Sequence, residues 1–325
     1  MAKRTVRWTA FGVAEAVLTF FTTAKPFKGH IGVIQRNALM SWKLLHPDAE
    51  VILFGDEEGA EQVCRELGLR HEPFGEQGAE KMRRADFMFN RAQEIGRNGI
   101  FCYANCDIIL MADFRRALER VSGALPKFLM VGRRWDTDIR EPIDFRDEKW
   151  ADQVRWRALE ARGQRDEWYI DYFVFSRGMY GEDFPGLVVG RTSWDNWTVW
   201  KALEDKRPVV DASKGVIAVH QNHDYSHHPQ GKQGVWGDEE ARRNLERGGG
   251  WKHMRTIADA TLVLRSEGLK ENYMRHWGQF KRQAGSTRRW LVCNCWHPVW
   301  FFLLDVSRPM RTALGLRGKS AGPQA

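Results

Sequence analysis

Residues 99–110 read GIFCYANCDIIL, an apolar run that stops at Asn105, Cys106 and Asp107 and resumes through Ile108, Ile109 and Leu110. An apolar run of this length, bounded by turn-forming residues, reads as a buried strand. In α/β proteins such a strand delivers polar side chains to its carboxyl end, where a carboxylate can present a divalent cation to a diphosphate. The plainer reading is a strand followed by an Asx-turn, with Asn105 and Asp107 capping backbone groups. The order of the elements around the stretch decides between them.

Upstream, residues 18–27, LTFFTTAKPF, form a short strand rich in β-branched and aromatic residues; it ends in Thr22, Thr23 and Lys25 before Pro26 breaks it. Ile31, Ile34, Ala38, Trp42 and Leu45 then recur at helical spacing, and Pro47 closes the segment. A second apolar run, EVILF at 50–54, is followed by Asp56 and by Ala60, Val63, Cys64 and Leu67 on one helix face, with Gly68 as a cap. Residues 70–74 suggest a third strand, and Met82, Ala85, Met88, Ala92 and Ile95 a third helix before the 99–110 strand. Strands alternating with amphipathic helices imply βα units, a mainly parallel sheet and right-handed crossovers. Thr22, Thr23, Asp56 and Asp107 therefore converge on the carboxyl rim where such sheets bind ligands.

The succession TTAKPF, VILFGD, RRADFMFNRAQ, IFCYANCDIIL resembles the nucleotide-binding half of GT-A glycosyltransferases, which use nucleoside diphosphate sugars. The resemblance covers about residues 18–228 and implies a GT-A-like, Rossmann-like α/β fold: a mixed, mainly parallel sheet flanked by helices. Asn105-Cys106-Asp107 occupies the place of that family's Asp-x-Asp metal signature. Asp107 is carried over as the ligand of Mn²⁺ or Mg²⁺ and diphosphate; Asn105, an uncharged oxygen donor, either joins it or touches the ribose or a metal-bound water. The resemblance also implies Thr22 and Thr23 lining the nucleoside pocket, Lys25 in the donor site, Asp56 near the nucleoside, and Arg84 or Asp86 near the ribose or diphosphate.

The second half continues the alternation. Residues 127–132, KFLMVG, and 171–175, DYFVF, read as buried strands separated by a charged helical segment around 150–162, and the sheet is expected to become mixed. In GRTSWDNWTVW, residues 190–200, Trp194, Trp197 and Trp200 recur every third residue, with Asp195 at the helix start. Inverting GT-A enzymes commonly place their general base in such a context. A carboxylate beside tryptophans has its pKa raised by desolvation, so Asp195 is the first catalytic candidate and Asp171 the second. The competing reading makes Asp195 or Ser193 a helix cap and the tryptophans core. Aromatic faces stack on pyranose rings, which makes Trp194, Trp197 and the neighbouring Asn196 candidates for acceptor contact.

After the apolar run 215–219 comes VHQNHDYSHH, residues 219–228. Its spacing matches neither the helical His-Glu-x-x-His pattern nor a cysteine-paired zinc module. GT-A enzymes often recruit a further metal ligand from a loop in this position, which points to His220 and then His223. Lys232, in GKQG, is a further phosphate candidate.

The 325 residues carry 43% hydrophobic and 28% charged side chains, ample for a large core, and a net charge of +8. The basic residues are scattered and no nucleic-acid module is recognisable, which argues against a nucleic-acid partner. Five cysteines, odd in number and mostly within apolar elements, suit a reducing, cytoplasmic compartment, and Glu15 interrupts the only signal-like start. Residues 287–319 read TRRWLVCNCWHPVWFFLLDVSRPMRTALGLRGK. The apolar part, 290–304, falls short of the roughly 20 residues that span a bilayer. It is expected either to lie at the inner membrane face, with tryptophans among headgroups and arginines toward anionic lipid, or to pack as a last helix.

These readings give a catalytic domain over 1–265, with a nucleotide half at about 18–125 and an acceptor half at about 126–265, and a basic, Trp-rich helical extension over 266–325. The implied activity is divalent-metal-dependent transfer of a sugar from a nucleoside diphosphate sugar to the hydroxyl of a glycan or lipid-linked acceptor. Two rivals remain: a sugar nucleotidyltransferase of the same fold, whose glycine-rich opening loop is not visible between Thr22 and Ile31, and a metal-dependent hydrolase built on His220, His223, Asp224 and His227.

Overall fold

Phe20 and Phe21 are adjacent in sequence and both fully buried, because successive side chains of a strand leave on opposite faces and this strand is covered on both. The strand is Leu18–Thr23 (β1), at the centre of the computed structural model, which describes residues 16–73, 83–223 and 237–275. Beside it run Glu50–Phe54 (β2) and Ile100–Ala104 (β4), both parallel to it, and Arg70–Glu72 (β3) runs parallel to β2 on the far side. The third strand stops at Glu72; residues 74–82 lie outside the described part. Gly29–Lys43 (α1), Ala60–Leu67 (α2) and Ala85–Ile95 (α3) form the crossovers, as the apolar spacing predicts.

Beyond β4 come Ile108–Ile109 (β5), the helix Ala112–Ser122 (α4), Leu129–Val131 (β6), Arg134–Thr137 (β7), the helix Trp150–Glu160 (α5) and Tyr172–Ser176 (β8). The helix Trp194–Glu204 (α6), Val209–Asp211 (β9), Ala218–Gln221 (β10), the helix Glu239–Arg247 (α7), Leu262–Arg265 (β11) and Gly268–Glu271 (β12) complete the described elements. Nine strands make one sheet in the order β12-β11-β9-β6-β8-β4-β1-β2-β3. β8 pairs antiparallel with both β4 and β6, so the sheet is mixed, with parallel pairs in the majority. The fold is α/β, a large and mostly parallel sheet flanked by helices. β5, β10 and β7 form a second, three-stranded sheet next to the motif.

The chain divides into two compact units, Met1–Asn272 and Tyr273–Ala325. The first takes in β12, which pairs with β11. The expected helical extension beyond residue 275, including the Trp-rich stretch at 287–319, lies outside the described residues, and no helix among those described is long and apolar enough to cross a membrane.

Two apolar layers sandwich the sheet. On one face Phe20, Leu39, Trp42 and Phe114 pack together; on the other Phe21, Phe54, Phe89, Tyr103 and Phe175 do. Trp42 joins core and site: its ring stacks on Phe20 at 5.2 Å and its indole N–H donates to the Ile108 carbonyl at 2.8 Å, one residue past Asp107. Trp42→Ala is expected to cost about 3–5 kcal/mol, the range for truncating a buried tryptophan. Trp42→Phe, which keeps most of the volume but leaves the Ile108 carbonyl unpaired, is expected to cost about 1–3 kcal/mol. Urea denaturation of the two variants measures both.

Candidate active site

Because β1, β2 and β4 are parallel, Thr23, Phe54 and Ala104 end at one rim, and Lys25, Asp56, Asn105 and Asp107 follow beyond it. Buried amides fix the loops that carry them. Gln35 on α1 accepts from Lys25 N at 2.6 Å and donates to Lys25 O at 2.8 Å. Gln221, fully buried on β10, donates to the Asp107 carbonyl from its backbone N at 3.2 Å and its side chain at 3.1 Å, and accepts from Asn37 at 3.0 Å. Satisfied buried amides specify a single loop position, since leaving any of them unpaired is costly.

Asp107 meets two histidines. Its Oδ2 lies 3.1 Å from His223 Nε2 and 3.8 Å from His220 Nε2, and one ligand atom from each of the three residues falls within 4.8 Å of the others. The Asp107 side chain keeps 19% exposure, so the cluster is reached from solvent. Burial disfavours its charge, yet His220, His223 and Lys25 outweigh that and hold the carboxyl well below the usual carboxylate range. Its second oxygen, Oδ1, is buried without a hydrogen-bond partner. A carboxylate with an unused oxygen beside two imidazoles suits a divalent cation. Cys106, next to it in sequence, is buried and is not among the residues of the cluster, and burial pushes its thiol well above the ordinary value.

Asn105 has another task. Its Oδ1 accepts from the Tyr103 hydroxyl at 3.1 Å and its Nδ2 donates to Asp171 Oδ1 at 2.7 Å, so the amide braces the strand end. Asp171 also receives Arg134 at 3.0 and 3.1 Å. A guanidinium and an amide hold it in place at the end of β4. Arg134 further donates to Asp136 Oδ1 at 2.8 Å, and Arg165 to Asp136 Oδ2 at 2.5 Å. Nothing in the sequence marks Arg134 or Asp136, because Asp171, Arg165 and His220 reach them only in the folded chain.

Asp195 opens α6. Ser193, at the N-cap position, has the left-handed φ of 87° and makes no side-chain cap bond. Asp195 Oδ1 is buried without a hydrogen-bond partner. Burial pushes its carboxyl up to about 7, Asp171 adds to the rise, and backbone N–H groups of Asn196, Asp195 and Ser193 oppose it. A carboxyl with that pKa is suited to proton transfer near neutrality.

The aromatic residues beside it are corrections. Trp194 and Trp197 are each only 4% exposed. Trp194 packs edge-on to Tyr103 at 4.9 Å, and Trp197 packs on Phe184 at 4.6 Å. Their faces are spent on the core and offer nothing to an acceptor sugar. Asn196, also buried, donates to the Arg255 carbonyl at 2.8 Å and has a structural role. Thr22 is fully buried, with its hydroxyl on the Thr23 carbonyl at 3.2 Å, so only Thr23 of the pair borders the rim. Asp56 is half-exposed and 3.6 Å from His71; Arg84 is clamped on Asp86 at 3.0 and 2.6 Å. Lys232 lies outside the described residues. A surface cavity of about 380 Å³ opens at the opposite edge of the sheet, among Lys43, Glu50, Arg70 and Arg97, where β2 and β3 begin.

No family model and no curated protein matches the sequence. Among solved structures, the chain is similar to glucosyl-3-phosphoglycerate synthase from Mycobacterium tuberculosis in complex with Mn²⁺, UDP and phosphoglyceric acid, at 12% identity and a TM-score of 0.43 over 72% of this chain and 79% of that one. The same enzyme with Mg²⁺ and UDP gives 10% identity and 0.41, over 72% and 80%. S. aureus TarS 1-349 gives 7% identity and 0.43, over 63% of this chain and 60% of that one. All three TM-scores lie below 0.5, so the chemistry of the site rests on its own residues.

Proposed function

We propose that the protein is a GT-A-type glycosyltransferase, moving a sugar from a nucleoside diphosphate sugar to an acceptor hydroxyl with Mn²⁺ or Mg²⁺. The observation that carries the reading is the cluster of Asp107, His220 and His223 at the carboxyl rim of the parallel strands. These three residues would hold the cation, which when bound supplies charge neutralisation for the departing diphosphate. Lys25, whose charge already acts on Asp107, adds a cation beside the same oxygens.

Asp195 takes the acceptor hydroxyl proton. The acceptor oxygen forms its bond to the anomeric carbon as the bond from that carbon to the diphosphate oxygen breaks, and the nucleoside diphosphate leaves with the electron pair. Asp195 ends protonated, the arrangement of an inverting transfer. The acceptor we favour is a lipid-linked or surface glycan, because the sequence at 287–317 is both apolar and basic.

Calorimetric titration with UDP and with GDP, with and without Mn²⁺, tests the reading. One nucleotide is expected to bind at least tenfold more tightly with metal. Metal binding that leaves nucleotide affinity unchanged would favour the histidine-based hydrolase, and synthesis of a sugar nucleotide from a nucleoside triphosphate and a sugar phosphate would favour the nucleotidyltransferase.

A further inference from the structure

β10 is the middle strand of the small sheet, and its register decides what surrounds His220. On one side the parallel pairing sets Ala218 against Arg134, Val219 against Trp135, His220 against Asp136 and Gln221 against Thr137. On the other, the antiparallel pairing sets His220 against Ile108, the residue after Asp107. One imidazole thus stands between two carboxylates delivered by two neighbouring strands. Directly opposed side chains on adjacent strands are near enough to interact.

The two ring nitrogens divide between them. Nε2 faces Asp107 Oδ2 at 3.8 Å, and Nδ1 faces Asp136 Oδ1 at 3.3 Å. Nδ1 is buried and makes no hydrogen bond, and the acceptor it faces is Asp136 Oδ1. Asp136 is itself buried and held from behind, with Arg134 on Oδ1 and Arg165 on Oδ2. Both guanidinium groups lie against the Tyr169 ring, at 4.9 and 5.5 Å from its centroid, which restrains the pair further. A carboxylate fixed in this way has one use left for its inward oxygen.

We infer that Asp136 is a positioning residue for the metal centre, receiving the His220 Nδ1 proton so that Nε2 is presented bare, and correctly turned, to the cation. The inference rests on the metal-centre reading above and adds the group that sets its ligand's tautomer. Histidine ligands depend on such outer carboxylates for orientation and basicity, and losing the carboxylate typically costs about 10–100-fold in metal affinity. Arg134 carries the support further, since it also grips Asp171, which braces Asn105 at the end of β4. The metal centre and the motif strand therefore share one ionic scaffold.

The test is Mn²⁺ affinity of the full chain, read from the electron paramagnetic resonance of unbound Mn²⁺, for wild type and Asp136→Asn. The expected result is a 10–100-fold weaker affinity in the variant, with an unchanged circular dichroism spectrum. Long-range ¹H–¹⁵N spectra of the wild type, with the His220 signals assigned by their loss in His220→Asn, are expected to show Nδ1 protonated; a change of fold in the Asn variant has no bearing on that measurement. Equal Mn²⁺ affinity in wild type and Asp136→Asn, or a His220 protonated at Nε2, overturns this proposal alone. A wild-type chain that binds no Mn²⁺ overturns the metal-centre reading and this proposal with it.

Discussion

Replacing Asp195 by asparagine is expected to lower kcat by about 10²–10⁴-fold, the usual contribution of a positioned general base. It is also expected to remove the acidic limb of the pH–rate profile. The carboxyl is held up to about 7 because burial, aided by Asp171, disfavours its charge. A base works only when ionised, so wild-type activity should climb as the pH rises through about 7 and level off above it.

The same shift fixes the sign of a stability effect. The folded pKa of Asp195 lies above the unfolded value of about 3.9, so between roughly pH 4 and 7 the native state holds more protons than the unfolded chain. Stability arising from this group is therefore present at low pH and declines as the pH rises through that window. Asp195→Asn should flatten this dependence, and urea denaturation at pH 5 and pH 8 measures it. A control sharpens the assignment: Asp171→Asn removes a charge that raises the Asp195 pKa, so any activity it retains should show its limb at lower pH. An acidic limb that survives in Asp195→Asn would assign proton transfer to another group.

The outline of this site is legible in the sequence where side chains act through their own element. Phe20, Phe21, Val51 and Ile52 announce strands buried on both faces, and the polar stops after them announce the rim. Asp107 is legible because it interrupts such a run, and His220 because it closes one. Thr22 misleads for the same physical reason: in a strand covered on both sides, a threonine near the end is buried as readily as a phenylalanine. The three-residue spacing of Trp194, Trp197 and Trp200 marks a helix face without saying what that face meets. Here Trp194 meets the sheet at Tyr103 and Phe173 and Trp197 packs on Phe184, so these two belong to the core.

The supporting residues were hidden because their roles exist only after strands pair. Asp136 and Arg134 lie in RRWDTD, which reads as an ordinary charged strand edge until β7 comes to lie beside β10. Gln221 looks like one more polar residue after His220, yet its amide holds the Asp107 carbonyl. No local period or spacing encodes a partnership of this kind. What a sequence can supply is the position where a polar residue breaks an apolar pattern, and Asp107 is such a position.

Asp107→Ala is expected to have the other large effect, and it separates the readings of the histidine cluster. Removing the carboxylate of the described cluster leaves two imidazoles, so the tightening of UDP or GDP binding by Mn²⁺ should disappear. Charge stabilisation of a leaving group is worth several kcal/mol, which at about 1.4 kcal/mol per decade corresponds to a loss of about 10³-fold or more in kcat. The ligand set also predicts a preference among cations. Two imidazoles and one carboxylate favour Mn²⁺ over Mg²⁺, which takes oxygen donors almost exclusively. His223→Asp, which substitutes an oxygen donor for a nitrogen donor 3.1 Å from Asp107, should narrow that preference toward Mg²⁺. Calorimetry with each cation, on wild type and both variants, measures all three effects. Full turnover by Asp107→Ala together with loss of activity in His223→Ala would instead place the chemistry on the histidines, as in a hydrolase.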